Sequence, residues 1–149
     1  MRIKKGFITF ITILAVLVGN ILNFREFIND YCPIKISNVI VTAFYVATWI
    51  IVISISIKYR FIKILKAYTV FWLITLIHAL LIIITSTTGA NFGWAILSYI
   101  LVMCPWYGLH YYVKDYIFIG ILISIFALSV LVINTFFICT NNRFNKKSK

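Results

Sequence analysis

An all-α integral membrane fold, with four transmembrane helices in an antiparallel bundle and an extra outer half-helix, is what this 149-residue sequence predicts. Three observations carry that expectation. The hydrophobic fraction is 63 % and the charged fraction 11 %, far from the roughly 45–50 % apolar and about 25 % charged of soluble domains. The apolar residues fall in long runs, and crossing a hydrocarbon core of about 30 Å takes about 20 helical residues. The charges lie between the runs in alternating balance. Arg2, Lys4 and Lys5 open the chain, Lys58, Arg60, Lys63 and Lys66 interrupt its middle, and Arg143, Lys146, Lys147 and Lys149 close it; these cations equal the formal net charge of +11. Arg25, Lys35 and Lys114 are balanced by Glu26, Asp30 and Asp115 in the two intervening stretches.

The first run, Phe7 to Phe24, follows cations as a secretory signal would. It exceeds the 7–15 apolar residues of such a signal, and no cleavage-like site appears around Val18-Gly19-Asn20, so a retained span is expected. Arg25 to Asn38 is a polar connection. The second run, Val39 to Ile57, is rich in β-branched residues; in lipid the backbone must satisfy its own hydrogen bonds, so helix wins over intrinsic propensity. The third run is Ala67 to Thr85 and the last about Tyr116 to Cys139.

Phe92 to Val113 is ambiguous. A continuous helix over this stretch would reach about 33 Å, yet Pro105 breaks it, and the part over 92–104 would be only about 20 Å long. Charge decides between four spans and five. A fifth crossing would carry the four tail cations outward against the membrane potential, opposed by about 9 kcal/mol per 100 mV. The positive-inside rule agrees. The expected arrangement is a single domain over 1–149 with spans at 7–24, 39–57, 67–85 and 116–139. The half-helix, re-entrant or interfacial, lies outside, and both termini are cytoplasmic; five spans is the alternative. Isoleucine outnumbers leucine roughly two to one, and lysine and asparagine fill the polar tail. That bias points to an AT-rich bacterium and hence to its cytoplasmic membrane.

Small residues spaced by four occur in every run: Ala15 with Gly19, Ala43 with Ala47, Thr75 with Ala79, Gly120 with Ser124. Such pairs let helix backbones approach in lipid. His78 is the ionisable group deepest in a run, and Thr48, Thr75, Ser124 and Ser129 fall at comparable depth. Ionisable groups at this depth are costly and so are functional candidates. With no carboxylate in a run to pair with it, a neutral imidazole bonded to a neighbouring hydroxyl or carbonyl is the plainer reading. Asn20 and Asn23, toward the outer end of the first run, and Asn134 in the last are expected to hydrogen-bond across helices; Asn20 is also a candidate contact in a substrate passage.

Trp106, Tyr107, His110, Tyr111, Tyr112 and Tyr116 form an aromatic group suited to the headgroup boundary, either as an anchor or as a recognition surface. Cys32-Pro33 and Cys104-Pro105 both fall on the expected outer side, where oxidation is permitted. A Cys32–Cys104 disulfide is one pairing this layout allows. Four spans with cysteines in the outer loops resemble in outline the DsbB-like thiol oxidases. The resemblance covers topology and no motif, because thiol exchange needs a second nearby thiol and each outer loop has one.

No HExxH, phosphate-cradling glycine loop or serine nucleophile elbow occurs. With three acids in the chain, neither metal nor cofactor chemistry is expected, and the cations are split among span ends instead of forming a nucleic-acid face. The expected function is therefore non-enzymatic, through contacts in the bilayer with another membrane protein or a peptide, as a complex subunit or an immunity-type protein. The alternative is a small transporter or channel with its path near His78.

Overall fold

A computed structural model describes residues 5–29, 33–90 and 93–147, and these are all-helical, with no strand among them. The long helices are α1 (Lys5–Ile28), α2 (Ile36–Lys58) and α3 (Ile62–Thr88). A 3₁₀ turn (Gly93–Ala95), the eight-residue α4 (Ile96–Met103) and a 3₁₀ segment (Cys104–Tyr111) follow, and α5 (Tyr116–Lys147) is the last described element. Four of these helices are long and apolar enough to cross a membrane, the last over Tyr116–Asn141. Of the stretch expected as a half-helix, 92–104, the described residues form the 3₁₀ turn and then α4, whose eight residues rise about 12 Å.

Local chemistry marks three of the helix boundaries. Gly89, at φ 69°, takes the left-handed conformation that stops α3, and its N–H donates to the Thr85 carbonyl at 2.9 Å. Asp115 starts α5, its Oδ1 accepting from the Ile117 N–H at 2.8 Å. At the start of α2, the Asn38 Oδ1 accepts from the Lys35 backbone N–H at 2.9 Å.

Neighbouring helices run antiparallel. Asn23 meets Asn38 across α1 and α2. Across α3 and α5, the most extensive contact among the described elements, Trp72 meets Phe126 and Gly120 faces Ala79 and Ile83. A Cβ on Gly120 would sit 2.7 Å from Ile83 Cγ1 and 3.1 Å from the Ala79 carbonyl oxygen, so glycine lets this seam close without displacing Ile83. Gly19 is used likewise against Pro105. Ala43 and Ala47, by contrast, are exposed.

The centre of the bundle is aromatic. Trp49 stacks on Phe71 at 4.8 Å and meets Trp72 edge-on at 5.0 Å. Trp106 closes on Tyr45, Trp72 and Phe126 at ring separations of 5.6, 6.2 and 5.6 Å. Large apolar side chains meanwhile cover the outside: Ile21, Phe44, Leu97 and Val132 are 72 %, 71 %, 82 % and 67 % exposed. Polar residues such as Asn23, Asn38, Ser56, Thr75 and Asn134 are buried. A water-soluble domain does the reverse. The four apolar helices and this inverted surface are compatible with a multi-pass membrane protein.

Candidate functional site

At the end of the bundle where α1 and α3 stop and α5 starts, the Cys104–Tyr111 segment is tied to α1 and α2 by side-chain amides and one hydroxyl. Pro105 has no N–H to return to the Leu101 carbonyl four residues before it. Asn20 Nδ2 donates to that carbonyl instead at 2.9 Å, and also to Val16 O in its own helix at 2.8 Å. Asn23 Nδ2 donates to the Cys104 carbonyl at 3.1 Å, with the Pro105 carbonyl at 3.4 Å, and Asn23 Oδ1 accepts from Asn38 Nδ2 at 3.0 Å. The Thr42 hydroxyl donates to the Pro105 carbonyl at 2.7 Å and accepts from the Gly108 N–H at 3.1 Å. The fit is tight at Gly108, where a Cβ would overlap the Asn38 carbonyl oxygen and lie 2.6 Å from Thr42 Oγ1. A Glu26–Lys35 ion pair at 3.3 Å borders the network.

Beside this latch opens a cleft of about 430 Å³. Phe27 of α1, Ile82, Thr85 and Ser86 of α3, Tyr99 of α4, Tyr107 and His110 of the 3₁₀ segment, and Tyr116 of α5 line it. The rings form a continuous wall: Phe27 to Tyr99 at 5.7 Å, Phe27 to Tyr107 at 5.9 Å, Tyr107 to His110 at 5.5 Å and His110 to Tyr116 at 4.6 Å. His78 lies next to this wall, its ring 6.4 Å from that of Tyr99. Its Nδ1–H donates to the Ile74 carbonyl at 2.8 Å, and Nε2 is 2.9 Å from Ser98 Oγ, which is itself 3.0 Å from the Ala95 carbonyl.

Several sequence expectations change here. Tyr107, His110 and Tyr116 do come together, but Trp106 does not join them. At 5 % exposure it belongs to the central aromatic cluster, because the 3₁₀ segment turns successive side chains to different sides and this one faces α2, α3 and α5. Among the described residues, the hydroxyls at comparable depth are not hydrogen-bond partners of His78. Thr75 donates to Phe71 O and Ser129 to Ile125 O in their own helices. Thr48 donates to Phe44 O and lines an apolar groove of about 460 Å³ between α1 and α2. Ser124 is buried, and its hydroxyl has no hydrogen-bond partner among the described residues. Ser98, on α4, is the hydroxyl that meets His78 instead.

Asn20 binds backbone and lines neither cavity. Asn23 bonds across helices as expected, whereas both polar atoms of Asn134 are buried with no partner among the described residues. Of the Cys32–Cys104 pair, Cys32 lies outside the described residues. Cys104 is a free, fully buried thiol that donates to the Asn20 carbonyl at 3.4 Å.

Sequence reasoning missed Phe27, Thr85, Ser86, Ser98 and Tyr99. Phe27 carried a usable signal, being aromatic just past the end of an apolar run; Tyr99, in the middle of one, and the hydroxyls carried none. Among the described residues no cluster of histidine, cysteine and carboxylate side chains is arranged to hold a metal. No protein-family model, curated protein or solved structure matches this chain.

Proposed function

We infer that this protein is a non-enzymatic component of a bacterial cytoplasmic membrane that acts by contact, its recognition surface being the aromatic cleft at the α4 end. Four helices span the bilayer, the basic end and both termini are cytoplasmic, and the α4 end faces outward. The stretch from α4 to Tyr111 re-enters from that side. Two bonds support its depth: Ser98 meets His78, ten residues before the end of α3 at Thr88, and Leu101 meets Asn20, eight before the end of α1 at Ile28. Those offsets correspond to about 15 and 12 Å along the helices.

The observation that carries the contact reading is the division of the bundle into an open aromatic cleft at one end and a filled middle. Trp49, Trp72 and Trp106, at 1 %, 0 % and 5 % exposure, fill the axis between the two ends. A conducting path would have to displace them. Interface anchors are commonly tyrosine and tryptophan, which give large contact area at small entropic cost. The cleft's three tyrosines, phenylalanine and imidazole suit an apolar peptide or the aromatic side chains of a membrane-protein partner.

Two measurements test this. Liposomes containing the purified protein should be no more permeable to protons or K⁺ than empty ones; flux that His78→Leu abolishes would transfer the conclusion to a transporter. A photoreactive residue at position 110 should give a discrete protein or peptide adduct in native membranes that Tyr116→Leu removes. The same residue at the exposed Ile125 should not, and equal adducts from both positions would sink the contact reading.

A further inference from the structure

The basic end contains a helix stop built around an unusual residue. After α2 the Phe61 N–H donates to Ser56 O at 2.8 Å and the Arg60 N–H to Ile57 O at 3.0 Å. That six-to-one and five-to-two pair is the Schellman motif, whose left-handed position is normally glycine. Here Arg60 occupies it at φ 52°, the one non-glycine residue with positive φ among those described. A side chain held where glycine would be free of strain calls for a use.

Arg60 borders a recess of about 120 Å³ shared with Ile57 and Leu65 on one side and Phe137, Thr140 and Asn141 of α5 on the other. Thr140 already donates its hydroxyl proton to Phe136 O at 2.8 Å, which leaves Arg60 and the Asn141 amide as donors toward a ligand. Lys58, Lys63 and Lys66 are exposed nearby in sequence, and no acid occurs between Lys35 and Lys114. The recess is thus charged at its mouth and apolar at its wall, and Phe137 with Ile133, one turn apart, continues the apolar wall along the outside of α5 at 39 % and 44 % exposure.

We propose that this recess binds one anionic phospholipid, Arg60 and Asn141 holding the phosphate and an acyl chain lying over Phe137 and Ile133. Guanidinium matches phosphate geometry with paired N–H donors. The volume fits a headgroup and not a chain, which is why the chain runs outside. This rests on the bilayer placement proposed above, with the basic end at the leaflet where anionic lipid concentrates.

The test uses the full chain purified in a neutral detergent and titrated with dioctanoyl phosphatidylglycerol or dioctanoyl phosphatidylcholine, bound lipid being counted by native mass spectrometry. The expected preference for the anionic lipid is about fivefold or more, the factor equivalent to one cation near a membrane surface. Arg60→Gly should bring it down to the phosphatidylcholine level while keeping or raising the thermal midpoint, since glycine suits that backbone. Lys114→Gln, at the other end, should change nothing. Equal binding of the two lipids, a preference that survives Arg60→Gly, or competition by chainless glycerol phosphate as strong as by the lipid would each overturn the proposal. A cysteine placed after Lys149 and labelled from outside cells would instead overturn the bilayer orientation and leave the lipid preference in detergent intact.

Discussion

Where α1 and α2 meet the Cys104–Tyr111 segment, Asn20, Asn23, Asn38 and Thr42 spend their polar atoms largely on backbone groups. Where α3 meets α5, Gly120 lies on Ala79 and Ile83, and Trp72 on Phe126. Both contacts join elements in a chain whose outer surface is apolar, and the difference follows from the backbone. A regular helix uses its own N–H and C=O groups, so two such helices gain most by close approach at small residues. A proline-containing 3₁₀ segment leaves carbonyls over, and in an apolar medium each needs a donor. Asparagine and threonine satisfy the irregular backbone, while glycine permits close approach at both contacts, Gly19 and Gly108 at the first and Gly120 at the second.

The largest test of this contrast is Gly108→Val. Its added carbons would overlap the Asn38 backbone, which cannot yield without breaking the first turn of α2; destabilisation above about 4 kcal/mol is expected, seen as loss of folded protein in detergent. Trp106→Ala should cost about 3–5 kcal/mol in denaturation midpoint, because it empties the centre shared by both halves. Had Trp106 been a surface anchor, the same change would be nearly neutral.

Asn23→Leu probes the amide network alone. It removes the donor to Cys104 O and the acceptor of Asn38 Nδ2, and about 2–3 kcal/mol should be lost. Cys104 supplies an independent readout. Fully buried and bonded to the Asn20 carbonyl, it resists alkylation, which needs an accessible thiolate. Asn23→Leu should speed its labelling, whereas Gly120→Ala should not, although it loosens the other seam. Gly120→Ala itself is expected to cost about 1–2 kcal/mol in the same denaturation assay. Equal Cys104 labelling in both variants would remove the distinction between the halves.

The four long apolar helices were legible because uninterrupted runs of about 20 residues bounded by cations leave few alternatives. Pro105 likewise marked the place where regular helix had to end. The helices extend past the apolar runs, α2 beginning at Ile36 and α3 at Ile62, and so Asn38 looked like loop when it is in the first turn of α2. The site was less legible. Tryptophan beside proline near an apolar boundary reads as an interface anchor, and nothing local reveals that a 3₁₀ turn rotates Trp106 inward while leaving Tyr107 and His110 at the cleft. Ser98 could not be picked out by depth, because its meeting with His78 depends on α4 folding back against the middle of α3.

That serine has one proton and two places to send it, His78 Nε2 or the Ala95 carbonyl. With a neutral ring, Nδ1–H serves Ile74 and the hydroxyl donates to Nε2. The Ile74 carbonyl can only accept, so it fixes the proton of the neutral ring on Nδ1 and leaves Nε2 as the acceptor that holds the Ser98 hydroxyl. One backbone carbonyl of α3 thereby decides which way the serine of α4 points its proton.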